Sequence, residues 1–268
     1  MSARHIFLSP HLDDAVFSCA GTIATLVAAG DRVVVVTVTA GSTGTKRLPE
    51  SARSLHETWG LSGDVVARRR EEDRVAASIL GFEPVHLDFL DAIYRTNARG
   101  RFLYPTRDSL FPSGRWRNER ALVHALAGRI DGIVRRHVGS ILYAPLALGN
   151  HVDHQLVRQA VRAAGLAPVW YEDFPYLGSE PSLASGDAWA AIRHVARLVG
   201  SRSAGLIPVV VPFDPVLRVR AMAAYRSQLG SVFGSREEMG DDVRKLFPRT
   251  AGGQPAERLW HVSAPQGR

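Results

Sequence analysis

The feature that most constrains the fold is the alternation of strand and helix signals along the first two thirds of the chain. Runs rich in β-branched residues, such as 32–39, alternate with segments such as 13–29, in which apolar residues recur every three or four positions. The first pattern is typical of buried strands and the second of amphipathic helices. Alternating strands and helices form βαβ units around a parallel sheet. The sequence therefore predicts a Rossmann-like α/β fold, a parallel-sheet three-layer αβα sandwich.

The individual elements follow from the same periodicity and from turn residues between them. The predicted strands of the core are 5–9, 32–39, 85–90, 140–146 and 169–171. The predicted helices of the core are 13–29, 64–80, 117–137 and 152–164, and the predicted loops are 40–61 and 91–114. Farther along, the pattern predicts helices over 187–199 and 215–228, a strand over 206–211 and an edge strand over 258–262.

Composition agrees with a folded globular chain. Of the 268 residues, 46% are hydrophobic and 22% are charged, which argues against a disordered chain and permits an ordinary core. Cys19 is the one cysteine, so the chain forms no internal disulfide and no cysteine zinc cage. Because no repeat or linker divides the sequence, we expect one domain over 1–268. Its core spans 1–175, and its C-terminal part, 176–268, shapes the substrate pocket.

The charge balance is basic, with 33 Lys and Arg against 26 Asp and Glu and a net charge of +7. Such a balance suits nucleic acid or anionic ligands. The arginines are dispersed, however, so we favour an arginine-rich surface and expect no nucleic-acid partner. The N-terminus has no secretory signal pattern, and no apolar run approaches the ~20 residues of a membrane span. We expect a cytoplasmic protein, and the sequence leaves the oligomeric state open.

The first chemically informative motif lies where the first predicted strand meets the first helix. It contains His11, Asp13 and Asp14. Ligands of open α/β sheets bind at this carboxyl edge, and imidazole with carboxylate suits a zinc-like divalent ion. Adjacent side chains on a helix diverge by about 100°, so one Asp can hold a metal while the other faces a water molecule. The simpler alternative is that one Asp caps the helix and both interact with its dipole.

The second motif follows the predicted strand 140–146 and contains His151, Asp153 and His154. The two histidines are three residues apart, so they share one face of the first helical turn. They can serve one site as a ligand and as an electrophile or acid, although two exposed histidines at a helix start are the simpler alternative. Asp153 either orients a histidine or caps the helix. Two such motifs at strand ends of one parallel sheet favour a metal site.

Taken together, the two motifs resemble those of the LmbE-like, or PIG-L, deacetylases. That family carries P-H-P-D-D after its first strand and H-P-D-H about 140 residues later. The corresponding segments here are Pro10-His11-Leu12-Asp13-Asp14 and His151-Val152-Asp153-His154. The family prolines are replaced by Leu12 and Val152, which carry no ligand atoms.

The resemblance covers about residues 4–165. Within it, Arg69 and Glu72 match the family's R-x-x-E helix. The C-terminal third matches only loosely, through Tyr225 and the pair Ser227-Gln228.

The resemblance implies a role for each matching residue. The implied ligands of Zn²⁺, or of another divalent transition metal, are His11, Asp14 and His154. Asp13 is the implied general base, and His151 is the implied oxyanion stabiliser or acid. Arg69 is the implied substrate contact.

These roles describe a metal-dependent hydrolase that removes an N-acetyl group from an amino sugar or sugar conjugate. An amidase that cleaves a larger acyl or thiol-conjugate amide is an alternative, because the same site could perform it. A basic nucleic-acid-binding protein with a vestigial site is another, but a vestigial site need not keep every member of both motifs. The acetylated substrate is left open, because loops determine specificity.

Overall fold

A mixed sheet of seven strands forms the centre of the part of the chain that the structure describes. This computed structural model describes residues 2–43, 48–112, 119–179, 183, 188–200, 205–247, 250 and 252–262. The strands are β1 (Arg4–Ser9), β2 (Arg32–Thr37), β3 (Glu83–His86), β4 (Ile141–Pro145), β5 (Val169–Tyr171), β6 (Leu206–Pro212) and β7 (Ala256–Val262). Their order across the sheet is β3-β2-β1-β4-β5-β7-β6.

Helices of the described residues pack in two groups beside the sheet. They are α1 (Asp14–Ala28), α2 (Glu50–Thr58), α3 (Val65–Leu80), α4 (Arg120–Arg136), α5 (Val152–Ala163), α6 (Ala188–Val199), α7 (Pro215–Met222), α8 (Arg226–Val232) and α9 (Arg236–Leu246). α1 packs with α3 and α7, whereas α4 packs with α5. The predicted three-layer α/β fold is confirmed.

The first five strands are parallel, and the sheet grows in both directions from β1. His5 of β1 is in register with Val33 of β2 on one side and with Ile141 of β4 on the other. Central strands of this kind are covered on both faces, and Ile6 and Phe7 of β1 are fully buried. The strand order reverses between β1 and β4. Such a switch point leaves a crevice at the carboxyl ends of the two strands, where α/β proteins bind ligands.

The C-terminal strands depart from the parallel pattern. β7 pairs antiparallel with both β5 and β6, so it lies inside the sheet and β6 forms the edge. The prediction that 258–262 is an edge strand is therefore wrong. The flanking Pro and Gly residues suggested an edge, but Leu259 and Trp260 are buried between neighbouring strands.

Three further boundaries differ from the predictions. The predicted loop 40–61 contains α2, a largely polar helix that buries only Ala52. The predicted helix 215–228 is two helices, because the chain turns at Tyr225, whose hydroxyl donates to buried Asp73 at 2.7 Å. α9 was not predicted. Residues 44–47 and 113–114 of the predicted loops, 117–118 of one predicted helix and 187 of another lie outside the described residues.

α1 is broken in its middle, and the C-terminal part of the chain completes it. Cys19 has non-helical dihedral angles, φ −130° and ψ 17°. A break of this kind leaves backbone groups without helical partners. The carboxylate of Glu257, on β7, accepts hydrogen bonds from the backbone N–H of Gly21 at 2.7 Å and of Thr22 at 2.8 Å. β7 therefore acts as a cap for the second half of α1.

A buried arginine neutralises this cap. Arg218 of α7 pairs with Glu257 and donates to the backbone carbonyl of Phe17, on the first half of α1. Its guanidinium lies 3.9 Å from the ring centroid of Phe247 and 4.6 Å from that of Phe213. Because Arg218 is 1% exposed and Glu257 is 2% exposed, neither charge has water to solvate it.

Replacing Arg218 with Met should lower the free energy of unfolding by about 3–5 kcal/mol, because the Glu257 carboxylate would stay buried without its cation. Arg220→Met is the matched control, since Arg220 is exposed on the same helix. It should change the free energy of unfolding by less than about 0.5 kcal/mol. Urea unfolding of both variants measures the difference, and equal losses would contradict this role of Arg218.

Candidate metal centre and active site

The fold brings the two predicted motifs together at the switch point. His11 follows β1, whereas His151 and His154 lie at the start of α5, after β4. The His11 ring centroid is 4.9 Å from that of His151 and 5.4 Å from that of His154. Side chains 140 or more positions apart in sequence thus share one cluster, because β1 and β4 are neighbours in the sheet.

One carboxylate oxygen lies between two of these histidines. Oδ2 of Asp14 is 3.0 Å from Nδ1 of His11 and 3.2 Å from Nε2 of His154. Burial favours a neutral Asp14 carboxyl, but His154 and His11 hold its pKa well below its usual range. Burial likewise opposes a charge on His154, yet Asp14 outweighs burial and raises the pKa of His154 to about 9. The cluster is arranged for positive charge between these three side chains.

The second nitrogen of each imidazole faces another buried carboxylate. Nε2 of His11 is 3.1 Å from Oδ2 of Asp153, and Nδ1 of His154 is 2.6 Å from Oδ1 of Asp173. Histidines that bind metals are usually oriented by a carboxylate in this way. Two imidazole nitrogens and one carboxylate oxygen therefore converge with their orientations fixed. This donor set fits a divalent metal ion with three protein ligands and an open position.

The geometry also permits a second ligand set. Nitrogen atoms of His11, His151 and His154 lie within 4.8 Å of one another. His151 is at the same time the cap of α5, since its Nδ1 accepts the backbone N–H of Asp153 at 3.2 Å. A neutral imidazole whose Nδ1 accepts a hydrogen bond carries its proton on Nε2. Burial and the adjacent His11 lower the pKa of His151 well below its usual range.

Asp153 orients a histidine and does not cap α5, which decides between the two roles considered for it. Its carboxylate also accepts the backbone N–H of Ala92 at 3.0 Å and pairs with Arg95. Arg95 in turn pairs with Glu119, which accepts the hydroxyl of Tyr104 at 2.7 Å. The segment 91–104 is thereby tied through buried charges to the same carboxylate that orients His11.

The carboxylate of Asp13 lies beside a cation. Its Oδ1 is 3.5 Å from Nη2 of Arg69, whose Nη1 is 3.9 Å from Oδ2 of Asp91. The guanidinium of Arg69 lies 4.8 Å from the centroid of the Trp59 ring. Burial raises the pKa of Asp13 to about 6, even though Arg69 lowers it. Asp13 therefore exchanges a proton near neutral pH more readily than an exposed aspartate does.

A cavity of about 350 Å³ opens beside these groups and is lined by five of the six predicted site residues, His11, Asp13, Asp14, Arg69 and His151. The sixth, His154, is not on the lining but lies directly behind Asp14.

The C-terminal part of the chain forms one wall of the cavity. Glu72 accepts hydrogen bonds from the backbone N–H and the hydroxyl of Ser227, at 2.8 and 2.6 Å. That contact places α8 so that Gln228 and Ser231 line the cavity. In the R-x-x-E helix, Arg69 thus lines the cavity while Glu72 holds its wall.

Sequence reasoning did not assign Asp173, Arg95 or Glu119 to the site. Asp173 lies two residues after Tyr171, the last residue of β5, and therefore at the same carboxyl edge of the sheet; that position could have identified it from the sequence. Of the two aspartates that follow β3, Asp91 lines the cavity and Asp88 is exposed.

Comparison with known proteins agrees with this geometry. A family model described as PIG-L: GlcNAc-PI de-N-acetylase matches residues 6–165, more than half of the chain. The matched segment contains both histidine motifs. The chain belongs to the PIG-L family. It is accordingly an N-deacetylase, a hydrolase that removes an N-acetyl group from an amino sugar or sugar conjugate, as the motifs predict.

Individual PIG-L relatives span most of this chain. The 2'-N-acetylparomamine deacetylase of Niallia circulans is 29% identical over 250 residues, which are 87% of this chain and 83% of the relative. The enzyme of the same name from Streptomyces fradiae is 30% identical over 230 residues, 84% of this chain and 73% of the relative. The crystal structure of the zinc-inhibited form of teicoplanin deacetylase has a TM-score of 0.77 and 26% identity, covering 99% of this chain and 100% of that one.

The membrane prediction can be compared with the helices directly. Among the residues that the structure describes, no helix combines the length and the apolar character that crossing a membrane requires.

If the cluster holds a divalent metal ion, Asp173→Asn should weaken the binding of added zinc by about 10- to 100-fold, because the amide no longer fixes the charge and orientation of His154. Asp88→Asn is the control, since Asp88 is exposed at the same edge of the sheet. Zinc affinity is measured by competition with a chelator. If both variants bind zinc as the parent does, Asp173 does not orient a ligand.

Proposed function

We propose that this PIG-L protein is a zinc-dependent deacetylase in which zinc is held by His11, Asp14 and His154. The observation that carries the proposal is the position of Asp14 Oδ2, 3.0 Å from one imidazole nitrogen and 3.2 Å from the other. Each imidazole is held by a further buried carboxylate, as zinc ligands usually are. When bound, zinc supplies a Lewis acid that polarises the acetyl carbonyl and activates water.

Asp14 is a better third ligand than His151. The Asp14 oxygen already lies between the two ligand nitrogens, whereas Nδ1 of His151 is engaged by the backbone N–H of Asp153. His151 also lines the cavity, so its free nitrogen is available to a substrate. We therefore assign Asp14 to the metal and leave His151 for the substrate.

Asp13 acts in this proposal as the general base. Its carboxylate lines the cavity, is separate from the Asp14 oxygen and has a pKa of about 6. A base is most effective when its pKa lies near the working pH, because it can then take up and return a proton. Asp13 takes a proton from the attacking water and delivers it to the amide nitrogen as the C–N bond breaks. The products are acetate and the free amine.

His151 stabilises the charge that develops on the acetyl oxygen. Its proton resides on Nε2, because Nδ1 accepts a hydrogen bond from the backbone. An N–H donor placed at a developing oxyanion stabilises the transition state more than the substrate. Arg69, which pairs with Asp13 and Asp91, contacts the sugar and holds the base in position.

The substrate class proposed for this site is an N-acetylated amino sugar or glycoconjugate. It is supported by the family match and by relatives that deacetylate N-acetylparomamine and teicoplanin. The direct test is acetate release by zinc-loaded protein from a panel of N-acetylated sugars and glycosides. Faster release of a longer acyl group from the same sugars would favour the amidase alternative instead.

Asp13→Asn should lower kcat by about 10²–10⁴, the usual contribution of general acid–base catalysis, because the amide cannot accept the proton. Zinc content and KM should stay close to those of the parent, since the variant is isosteric and Asp13 is not a ligand. Steady-state kinetics and metal analysis of the same preparation measure both. A kcat near that of the parent would show that another group is the base.

The His151→Ala and His154→Ala substitutions should impair the enzyme in different ways, one through kcat and the other through zinc content. His154→Ala should lose most of its zinc, because a site with three protein ligands has no spare one. His151→Ala should retain zinc while kcat falls by about 10²–10³, the typical loss when one oxyanion donor is removed. Metal analysis together with kcat distinguishes them. Zinc loss in His151→Ala would instead make the three histidines the ligand set.

A further inference from the structure

Each carboxylate that lines the cavity already faces a cationic side chain of the protein itself. Asp14 faces two histidines, and Asp13 faces Arg69. Asp91 lies 3.9 Å from Arg69 and 3.8 Å from His11. None of these three acids is therefore left to pair with an ammonium group of a substrate.

Beyond these charges, and beside Gln228 and Ser231, one continuous part of the cavity wall is apolar. It is built from α2, from the segment after β3 and from α8. The side chains that form it are Leu55, Trp59, Ile93, Leu110, Phe111 and Val232. Flat apolar groups bury favourably against aromatic rings, and Trp59 and Phe111 offer such rings. This wall suits an aryl group more than the hydroxyls of a second sugar.

One cation on the rim, Arg107, has no counterion among the residues that the structure describes. Arg107 lines the cavity and is exposed beside Leu110 and Phe111. Within the part of the chain that the structure describes, its guanidinium makes no hydrogen bond or ion pair. At about 350 Å³, the cavity is at the small end of the ~300–1,000 Å³ typical of small-molecule sites. A larger conjugate therefore extends past the rim, where Arg107 lies.

We propose that the apolar wall and Arg107 form an aglycone subsite for a flat apolar group that bears a carboxylate. The inference rests on the deacetylase function proposed above and names the class of conjugate that this site prefers. Arg107 is the specificity-determining residue, because it supplies the unpaired charge. Aryl glycosides with an anionic substituent bind better than those with a cationic substituent. The reason is that Asp13, Asp14 and Asp91 already face cations of the protein and leave none of their carboxylates to pair with an ammonium group.

Two substrates that differ only in charge test this. They are 4-carboxyphenyl and 4-(aminomethyl)phenyl glycosides of N-acetylglucosamine, assayed by acetate release with zinc-loaded enzyme. We expect kcat/KM to favour the carboxyphenyl glycoside by at least about threefold, within the range of partly exposed ion pairs. Equal rates, or a preference for the aminomethyl compound, would overturn the subsite.

Charge reversal at Arg107 identifies the residue responsible. Arg107→Glu should abolish or invert the preference. Arg99→Glu is the matched control, because Arg99 is exposed on the same segment but is not part of the cavity lining. Arg99→Glu should keep the preference of the parent. Equal changes in both variants would mean a general effect of surface charge and would overturn the assignment.

A binding measurement separates this inference from the deacetylase proposal. Calorimetry gives the dissociation constants of the two deacetylated aryl glucosaminides for the parent, Arg107→Glu and Arg99→Glu. If neither acetylated glycoside is hydrolysed but the carboxyphenyl compound still binds more tightly through Arg107, the deacetylase proposal fails and the subsite stands. If both acetylated compounds are hydrolysed without a charge preference in rate or binding, the subsite fails alone.

Discussion

A single carboxylate oxygen, Oδ2 of Asp14, lies between imidazoles that come from two different strand ends. That contact exists only because β1 and β4 are neighbours at the point where the strand order reverses. In a doubly wound sheet, this crevice is open to solvent while its walls are fixed by buried strands. The carboxylates of Asp153 and Asp173 then restrict each imidazole to one orientation. The remaining site is arranged around this fixed cluster.

The hydrophobic pattern of the sequence correctly predicted those strands and helices whose local sequence preference agrees with the overall fold. The β-branched run of β2 and the apolar stripe of α1 are such cases. The two histidine motifs follow β1 and β4, at the starts of α1 and α5. Because parallel strands bring their carboxyl ends to one edge, the proximity of His11 to His154 could be inferred without coordinates. α2 was not predicted because its residues are mostly polar and it buries a single side chain, so in composition the segment resembles a loop.

Contacts between distant segments could not be predicted in this way. The role of Asp153 could not be predicted, because an aspartate is suited both to orienting a histidine and to capping a helix. Its partner Arg95 lies in an irregular segment, and nothing local pairs it with Glu119. Nothing in the sequence around Glu257 distinguishes it from other charged residues. Its function as a cap depends on a break in α1 that only packing reveals.

The cap on α1 has a consequence for the order in which the protein is made. Glu257 follows Gly21 by 236 residues, and at ~5–20 residues per second a ribosome needs roughly 10–50 s to synthesise that length. Once residue 154 has been added the nascent chain carries both histidine motifs, but the helix that begins at Asp14 still lacks the strand that completes it. The cap on the second half of α1 can therefore form only after β7 has been synthesised.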